Sequence, residues 1–275
     1  MEEQKQTVKE KGSFGKFLQR KNIEFSAKRY GIDALGAMAQ GLFASLLIGT
    51  IISTIGEQAG IDFLLSMWWA PPIGSVASAV GNLIMWATVL KPFLMGIIVS
   101  VIVGVALTLP ISSAAICAAL GLTGLAGGAA VAGCCAQMVG FAFMSFRENR
   151  CGGLLSQGIG TSMLQMGNIV RNPKIWIPPT LTAAITGPIA TCVFHLEMNG
   201  AAIASGMGTC GLVGQIGVYT GWVADVASGA KDAITFMDWT GLILICFVLP
   251  AVLTLIFGAI FRKMGWIKEG DLKLD

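Results

Sequence analysis

The chain has 275 residues, a mean hydropathy of +0.75 and a formal net charge of +3. Hydrophobic residues make up 55% of it and charged residues only 12%, about half the share of a soluble domain. This excludes an ordinary soluble protein, gives no ground for a nucleic-acid partner, and puts the chain in the membrane class.

Residues 1–32 form a basic segment with no apolar core, so no cleavable signal peptide is expected. The segment reads as a cytoplasmic positive-inside anchor, with residues 13–28 suited to an amphipathic surface helix on lipid. Uncharged runs follow between Asp33 and Glu57, between Asp62 and Lys91, and between Lys91 and Arg147. Others lie between Lys174 and Glu197 and over residues 239–261. Each holds the roughly 20 residues that a helix needs to cross a hydrocarbon core. The first spans are predicted at 34–55 and 71–90. The run 92–146 must leave and return, and it splits near Pro110. PISSAAICAALG is then a short half-helix dipping into the membrane, and GLTGLAGGAAVAG is a tightly packed helix or a broken one.

Between residues 154 and 170, apolar residues recur at helical spacing: Leu155, Ile159, Met163, Met166 and Val170. Gln157, Thr161, Ser162, Gln165 and Asn168 lie between them, which predicts an amphipathic helix too polar for lipid. Arg171 and Lys174 follow it, and Pro173 stops it. Two readings stand. One is a cytoplasmic surface helix linking two spans. The other is a helix packed in the membrane domain, offering amides and hydroxyls to a polar ligand.

Charge then sets topology. The positive-inside rule assigns Lys91, Arg147, Arg150, Arg171, Lys174, Arg262, Lys263, Lys268 and Lys273 to the cytoplasm, with Glu57 and Asp62 outside. Residues 175–195 run outward and 239–261 run inward. Residues 200–222 cannot cross completely without inverting the last helix, so they read as a re-entrant hairpin rather than a span. PPIGSVASAVGNLI and PPTLTAAITGPIAT echo each other, either as an internal repeat or through shared helix-start chemistry. The expected fold is all-α, a polytopic membrane protein of about six to eight transmembrane helices plus re-entrant hairpins. Its single membrane domain covers 33–263, and 264–275 form a cytoplasmic tail.

The seven cysteines form no C-x-x-C pair and read as small buried hydrophobes, so no metal site and no cofactor is expected. No Walker A motif is present, and no catalytic residue is assigned. The polar candidates for solute contact are Thr161, Ser162, Gln165, Asn168 and Asn172. GMGTCGLVGQ adds Thr209 and Gln215, with Gly206 and Gly208 allowing close backbone approach. Ser112 and Ser113 are the matching candidates in the first half. The single histidine, His195, stands two residues before Glu197, either as a ligand or proton site or as an interfacial structural pair.

GTSMLQMGNIVRNPKIWIPP, then ITGPIAT, then GMGTCGLVGQ resemble the phosphotransferase-system enzyme IIC-like family, which includes membrane regulators of the perfringolysin-regulator type. The resemblance runs from about residue 20 to the C-terminus. It implies a bacterial cytoplasmic-membrane sugar-permease subunit, a homodimer with both termini in the cytoplasm, working by alternating access. It also implies a phosphoryl donor on separate IIA and IIB proteins. Sugar permeases related to this family use a Glu and a His near the sugar, and His195 with Glu197 is the only nearby pair here. The alternatives are a non-transporting membrane sensor that regulates gene expression through the same pocket, and an uncoupled channel.

Overall fold

The computed structural model describes residues 83–84, 86–88, 90–109 and 112–274, all within the unit Gly74–Asp275. The basic N-terminal segment, the first span, most of the second, Glu57 and Asp62, and most of the first half of the PP echo lie outside the described residues. Among the described residues the regular structure is all-α, apart from one antiparallel bridge between Gly124 and Met198.

The helices are α1 (Pro92–Thr108), α2 (Ser113–Ala119), α3 (Gly124–Met144), α4 (Phe146–Leu155), α5 (Met166–Arg171), α6 (Ile177–Pro188), α7 (Val213–Ser228), α8 (Phe236–Ile243) and α9 (Leu249–Lys263). Two of the breaks in helical geometry carry the chain without a gap. The π-turn Ile189–Val193 extends α6, and the π-turn Leu244–Val248 joins α8 to α9. Pro250 follows the second at the point where its ring and missing N–H would disturb a tight turn, and the wider turn absorbs it. Among the described residues, two helices are long and apolar enough to cross a membrane, Gly124–Met144 and Phe236–Lys263.

α3 is the axis of the bundle. Its run of glycine and alanine lets neighbours approach on every side. A Cβ at Gly133 would collide with the carbonyl of Ser100 in α1, and one at Gly128 with the carbonyl of Leu196. At Gly140 a Cβ would stand 2.7 Å from the Thr254 hydroxyl of α9 and 3.2 Å from Pro179 of α6. GLTGLAGGAAVAG is therefore packed rather than broken, with a continuous helix from Gly124. The first N–H of α3 goes to Met198, which returns the bond, each at 3.0 Å.

Contacts fix directions. Ser100 meets Gly133 and Thr108 meets Gln137, so α1 runs parallel to α3. Gln137 meets Thr180 and Thr191 meets Pro92, so α6 runs against both. Gly140 meets Thr254 and Glu148 meets Arg262, so α9 runs with α3. Between α1 and α3 the chain doubles back through α2, beginning at Ser112, whose hydroxyl accepts from the Ala115 N–H at 3.1 Å. Gly121 stops α2. It adopts φ +59, and the Leu122 N–H reaches the Cys117 carbonyl at 2.9 Å, the reversal that a left-handed residue permits.

This corrects one charge assignment. Because α1 and α3 are parallel, Lys91 lies at the Gly124 end of the bundle, whereas Arg147, Arg150, Arg262 and Lys263 lie at the Met144 end. The run 92–146 does not leave and return; it makes a partial hairpin and then one full traverse. The lone lysine lacked the neighbours that make a charge cluster informative.

Residues 200–222 also double back. Gly200 packs on Gly217 and Asn199 donates to Asp225 at 2.8 Å, so both limbs sit near the Gly124 end. The tip, at residues 206–212, reaches Cys134 and Met138 midway along α3.

Candidate functional site

Four segments converge on the middle of α3. Gln137, fully buried, accepts at Oε1 from the Trp176 indole N–H at 3.1 Å and from the Thr108 hydroxyl at 3.4 Å. Its Nε2 donates to the Thr180 hydroxyl at 3.2 Å. The hydroxyls of Thr108 and Ser162 lie 2.9 Å apart. One amide thereby ties α1, α3, α6 and the turn Ser162–Gln165 together, and a buried amide in an apolar bundle has to be satisfied in this way.

The two doubled-back segments meet beside it. The Ser113 hydroxyl, at the start of α2, donates to the Gly206 carbonyl at 2.7 Å. Gly208, at φ +54, lays its backbone against Cys134, where a Cβ would come within 2.6 Å of the cysteine Cβ. Among the described residues the Thr209 hydroxyl has only the Met138 sulfur, at 3.5 Å. Gln215 donates Nε2 to the Cys135 sulfur at 3.2 Å, and its Oε1 is buried without a hydrogen-bond partner among the described residues. An orphaned carbonyl oxygen and a hydroxyl held only by sulfur leave hydrogen-bonding capacity that a polar ligand would use.

The predicted amphipathic helix over 154–170 is not continuous. α4 ends in a π-turn, Ser156–Gly160; Thr161 is extended, and a 3₁₀ turn, Ser162–Gln165, leads into α5. Gly158 and Gly160 weaken the helix, and the Thr161 hydroxyl captures the Met163 N–H at 3.2 Å, starting a new turn. The polarity of the segment survives the break, but inside out. Gln157, Ser162 and Gln165 are fully buried, while Leu155, Ile159, Met163 and Val170 are 59%, 47%, 39% and 72% exposed. Water would select the opposite arrangement; a hydrocarbon surround selects this one.

The predicted site residues fall into three groups along α3, which is about 30 Å long. Ser162, Gly206, Gly208, Thr209 and Gln215 lie around its middle. Gln165, Asn168 and Asn172 lie toward the Met144 end, where their amides bind the C-terminal tail: Gln165 to the Leu272 carbonyl, Asn168 to that of Lys273, and Asn172 to that of Trp266, at 3.0, 2.9 and 3.0 Å. Thr161 serves the backbone turn. His195 and Glu197 are at the Gly124 end, both exposed, with Glu197 accepting from Asn199 at 3.1 Å. The structure thus does not bring His195 and Glu197 to the residues around Ser162. Four residues of the central cluster, Thr108, Gln137, Trp176 and Thr180, escaped the sequence reading. Gln137 carried a visible signal: it is the one carboxamide inside the uncharged run between Lys91 and Arg147.

No curated protein and no solved structure matches the chain. One family does, over residues 59–274, a match that takes in every element described above. Its extent, with the buried polar centre of an apolar helical bundle, shows that the chain belongs to the phosphotransferase system EIIC family, the multi-pass membrane permease component of that system.

Proposed function

We propose that the chain carries a sugar across the bacterial cytoplasmic membrane by alternating access, with the phosphoryl donor on separate IIA and IIB proteins. The observation that carries this reading is the inside-out segment, whose polar side chains turn away from the apolar surround and meet Gln137. Hydroxyls and carboxamides without a charged partner suit a neutral polyol. The sugar contacts are Ser162, Thr108, Gln137, Thr180, Thr209 and Gln215, with Gly206 and Gly208 bringing backbone close. Thr161, Gln165, Asn168 and Asn172 form the approach from the Met144 end, and His195 and Glu197 the opposite mouth.

The Met144 end is the cytoplasmic one. Arg147, Arg150, Arg171, Lys174, Arg262 and Lys263 gather there, and the opposite end holds Glu197, Asp225 and Asp232. Aromatic residues support a bilayer at both levels: Tyr219, Trp222 and Trp239 cluster at one end, and Trp266 stacks under Lys174 at the other. The helix Phe236–Lys263 has 28 residues, about 42 Å, close to the thickness of a bilayer with its headgroups. Residues 200–222 are then a re-entrant hairpin, and the exposed apolar faces meet lipid and a second copy of the chain. Family membership does not favour the sensor or the uncoupled channel.

The test uses Trp176 as a reporter. Sugars from a panel of hexoses, hexitols and disaccharides are titrated into the purified protein while its tryptophan fluorescence is followed. One of them should change the emission saturably, and Ser162→Ala should weaken that binding by tenfold or more, the loss of about one hydrogen bond. Unchanged affinity in folded Ser162→Ala protein would remove Ser162 from the site. A protein that binds a sugar but yields no sugar phosphate in liposomes supplied with phosphoenolpyruvate and the soluble phosphotransferase proteins would return the sensor reading.

A further inference from the structure

α9 ends in a tight reversal. Gly265 takes φ +70, its N–H reaches the Arg262 carbonyl, and the Trp266 N–H reaches that of Phe261, both at 3.0 Å. The Trp266 ring seals the reversal edge-on against Phe261, at 5.1 Å between centroids. The chain beyond this point does not trail away. Ile267 and Leu272 are both buried, in a cluster with Phe141, Met144, Ile169 and Ile175.

Carboxamides read the backbone around Leu272. Its carbonyl accepts from Asn149 at 2.7 Å and from Gln165 at 3.0 Å. Asn149 also accepts the Leu274 N–H at 2.8 Å, so one side chain holds the tail by a donor and an acceptor, as a neighbouring strand would. Asn168 takes the Lys273 carbonyl at 2.9 Å, and Asn172 takes the Asp271 carboxylate at 2.8 Å. An apolar pocket for one leucine, flanked by amides that bind main chain, is the chemistry of a peptide groove.

We propose that Asn149, Gln165, Asn168 and Asn172, with the apolar pocket beneath them, are a binding site for a leucine-bearing peptide folded in a turn. Its ligand is the chain's own tail, which acts as a releasable latch. The latch couples to the centre of the bundle through a single short turn. Gln165 binds the tail and, at 2.9 Å, Gln157; three residues earlier in that turn, Ser162 binds Thr108 beside Gln137. While the tail is docked, the turn is fixed and its amides are occupied. Release frees both. That release opens the solute path past Ser162 rests on the transport reading above; the groove and its coupling to the turn do not.

Hydrogen exchange followed by mass spectrometry, on the full chain in lipid nanodiscs, tests this without a solute. Leu272→Asp should speed exchange in residues 264–274 by roughly ten- to a hundredfold, the equilibrium value of burying one leucine, and speed residues 161–172 with it. Asn149→Ala should produce the same paired change while leaving Leu272 intact. A chain ending at Ile267 should show the fast 161–172 segment. The synthetic peptide KEGDLKLD should slow it again at about millimolar concentration, the range a tether supplies, and the peptide carrying Leu272→Asp should not. If 264–274 loosens while 161–172 stays at the wild-type rate in both full-length variants, the latch is overturned. If KEGDLKLD fails to restore protection to a folded truncated chain, the groove is overturned. Either failure leaves sugar binding at Ser162 standing, and a failed sugar titration leaves these exchange results standing.

Discussion

Removing Gln137 gives a perturbation whose size can be worked from its partners. In Gln137→Leu the Thr108 hydroxyl keeps Ser162 and the Gly104 carbonyl, and the Thr180 hydroxyl keeps the Trp176 carbonyl. The Trp176 indole N–H is different: Gln137 is its acceptor, and Leu offers none. One orphaned donor costs about 1–3 kcal/mol. Trp176→Phe removes that donor from the other side, and in the double variant no orphan is left. The two substitutions should therefore be non-additive, with a coupling of about 1 kcal/mol. That is the upper part of the range for hydrogen bonds between membrane helices, because the described residues give this indole no other acceptor. Reversible unfolding in mixed micelles of the wild type, both single variants and the double variant measures it. Effects that add to within about 0.3 kcal/mol would refute the role given to Gln137 as the tie between α3 and α6.

Gly133→Ala should lower stability in the same assay by about 1–3 kcal/mol, because the new methyl meets the Ser100 backbone and not a side chain that can turn away. Gly160→Ala is the control; its Cβ meets nothing within 4 Å, and a change within about 0.5 kcal/mol is expected. Arg262→Ala strands the buried Glu148 carboxylate, whose Oε1 Arg262 holds at 2.9 Å and whose Oε2 has no partner among the described residues, at a cost of about 3 kcal/mol. Glu148→Gln combined with Arg262→Met should recover part of that loss, and a double variant as unstable as Arg262→Ala alone would count against the explanation. A membrane-impermeant maleimide should label the exposed Cys151 in inside-out vesicles only. A cysteine replacing His195, in a chain with Cys151 and Cys192 changed to Ser, should label from the opposite face; the exchanged pattern would invert the topology, and labelling of both from one face would refute their placement at opposite ends of the bundle.

Much of the fold was legible because membrane chains spell out burial in long runs. The all-α class follows from those runs. The break near Pro110 follows from a stretch too long for one traverse, and the doubled-back 200–222 from parity together with glycine content. The side of Lys91 was not legible, since a single lysine weighs little against the packing direction of α1. The helix expected over 154–170 failed for another reason. Side-chain periodicity persists through a π-turn and a 3₁₀ turn, so the spacing of Leu155, Ile159 and Met163 was insensitive to the backbone break at Thr161. The grouping of Ser162 with Thr209 was partly legible, since both stood out as polar residues among glycines. Gln137, which Ser162 reaches through Thr108, drew no attention because a lone amide in a span forms no local pattern. The docking of Leu272 depends on partners about a hundred residues away, which no local window contains.

The π-turn Leu244–Val248 has a consequence for how this chain tolerates length changes. An α-helix advances 100° per residue, and a π-turn holds one residue more than the α-turn it replaces. Deleting one residue there would let α8 and α9 merge into an uninterrupted helix, a gain in local regularity. Because the turn with the extra residue and the α-turn without it sweep nearly the same angle, everything beyond would stay in angular register, with Thr254 and Gly258 still facing α3. The extra residue is slack. The aromatic-capped start of α8 and the arginine-bearing end of α9 keep their angular register without it, and a single-codon deletion there should be tolerated better than one in residues 251–253, which would turn Thr254 and Gly258 about 100° away from α3.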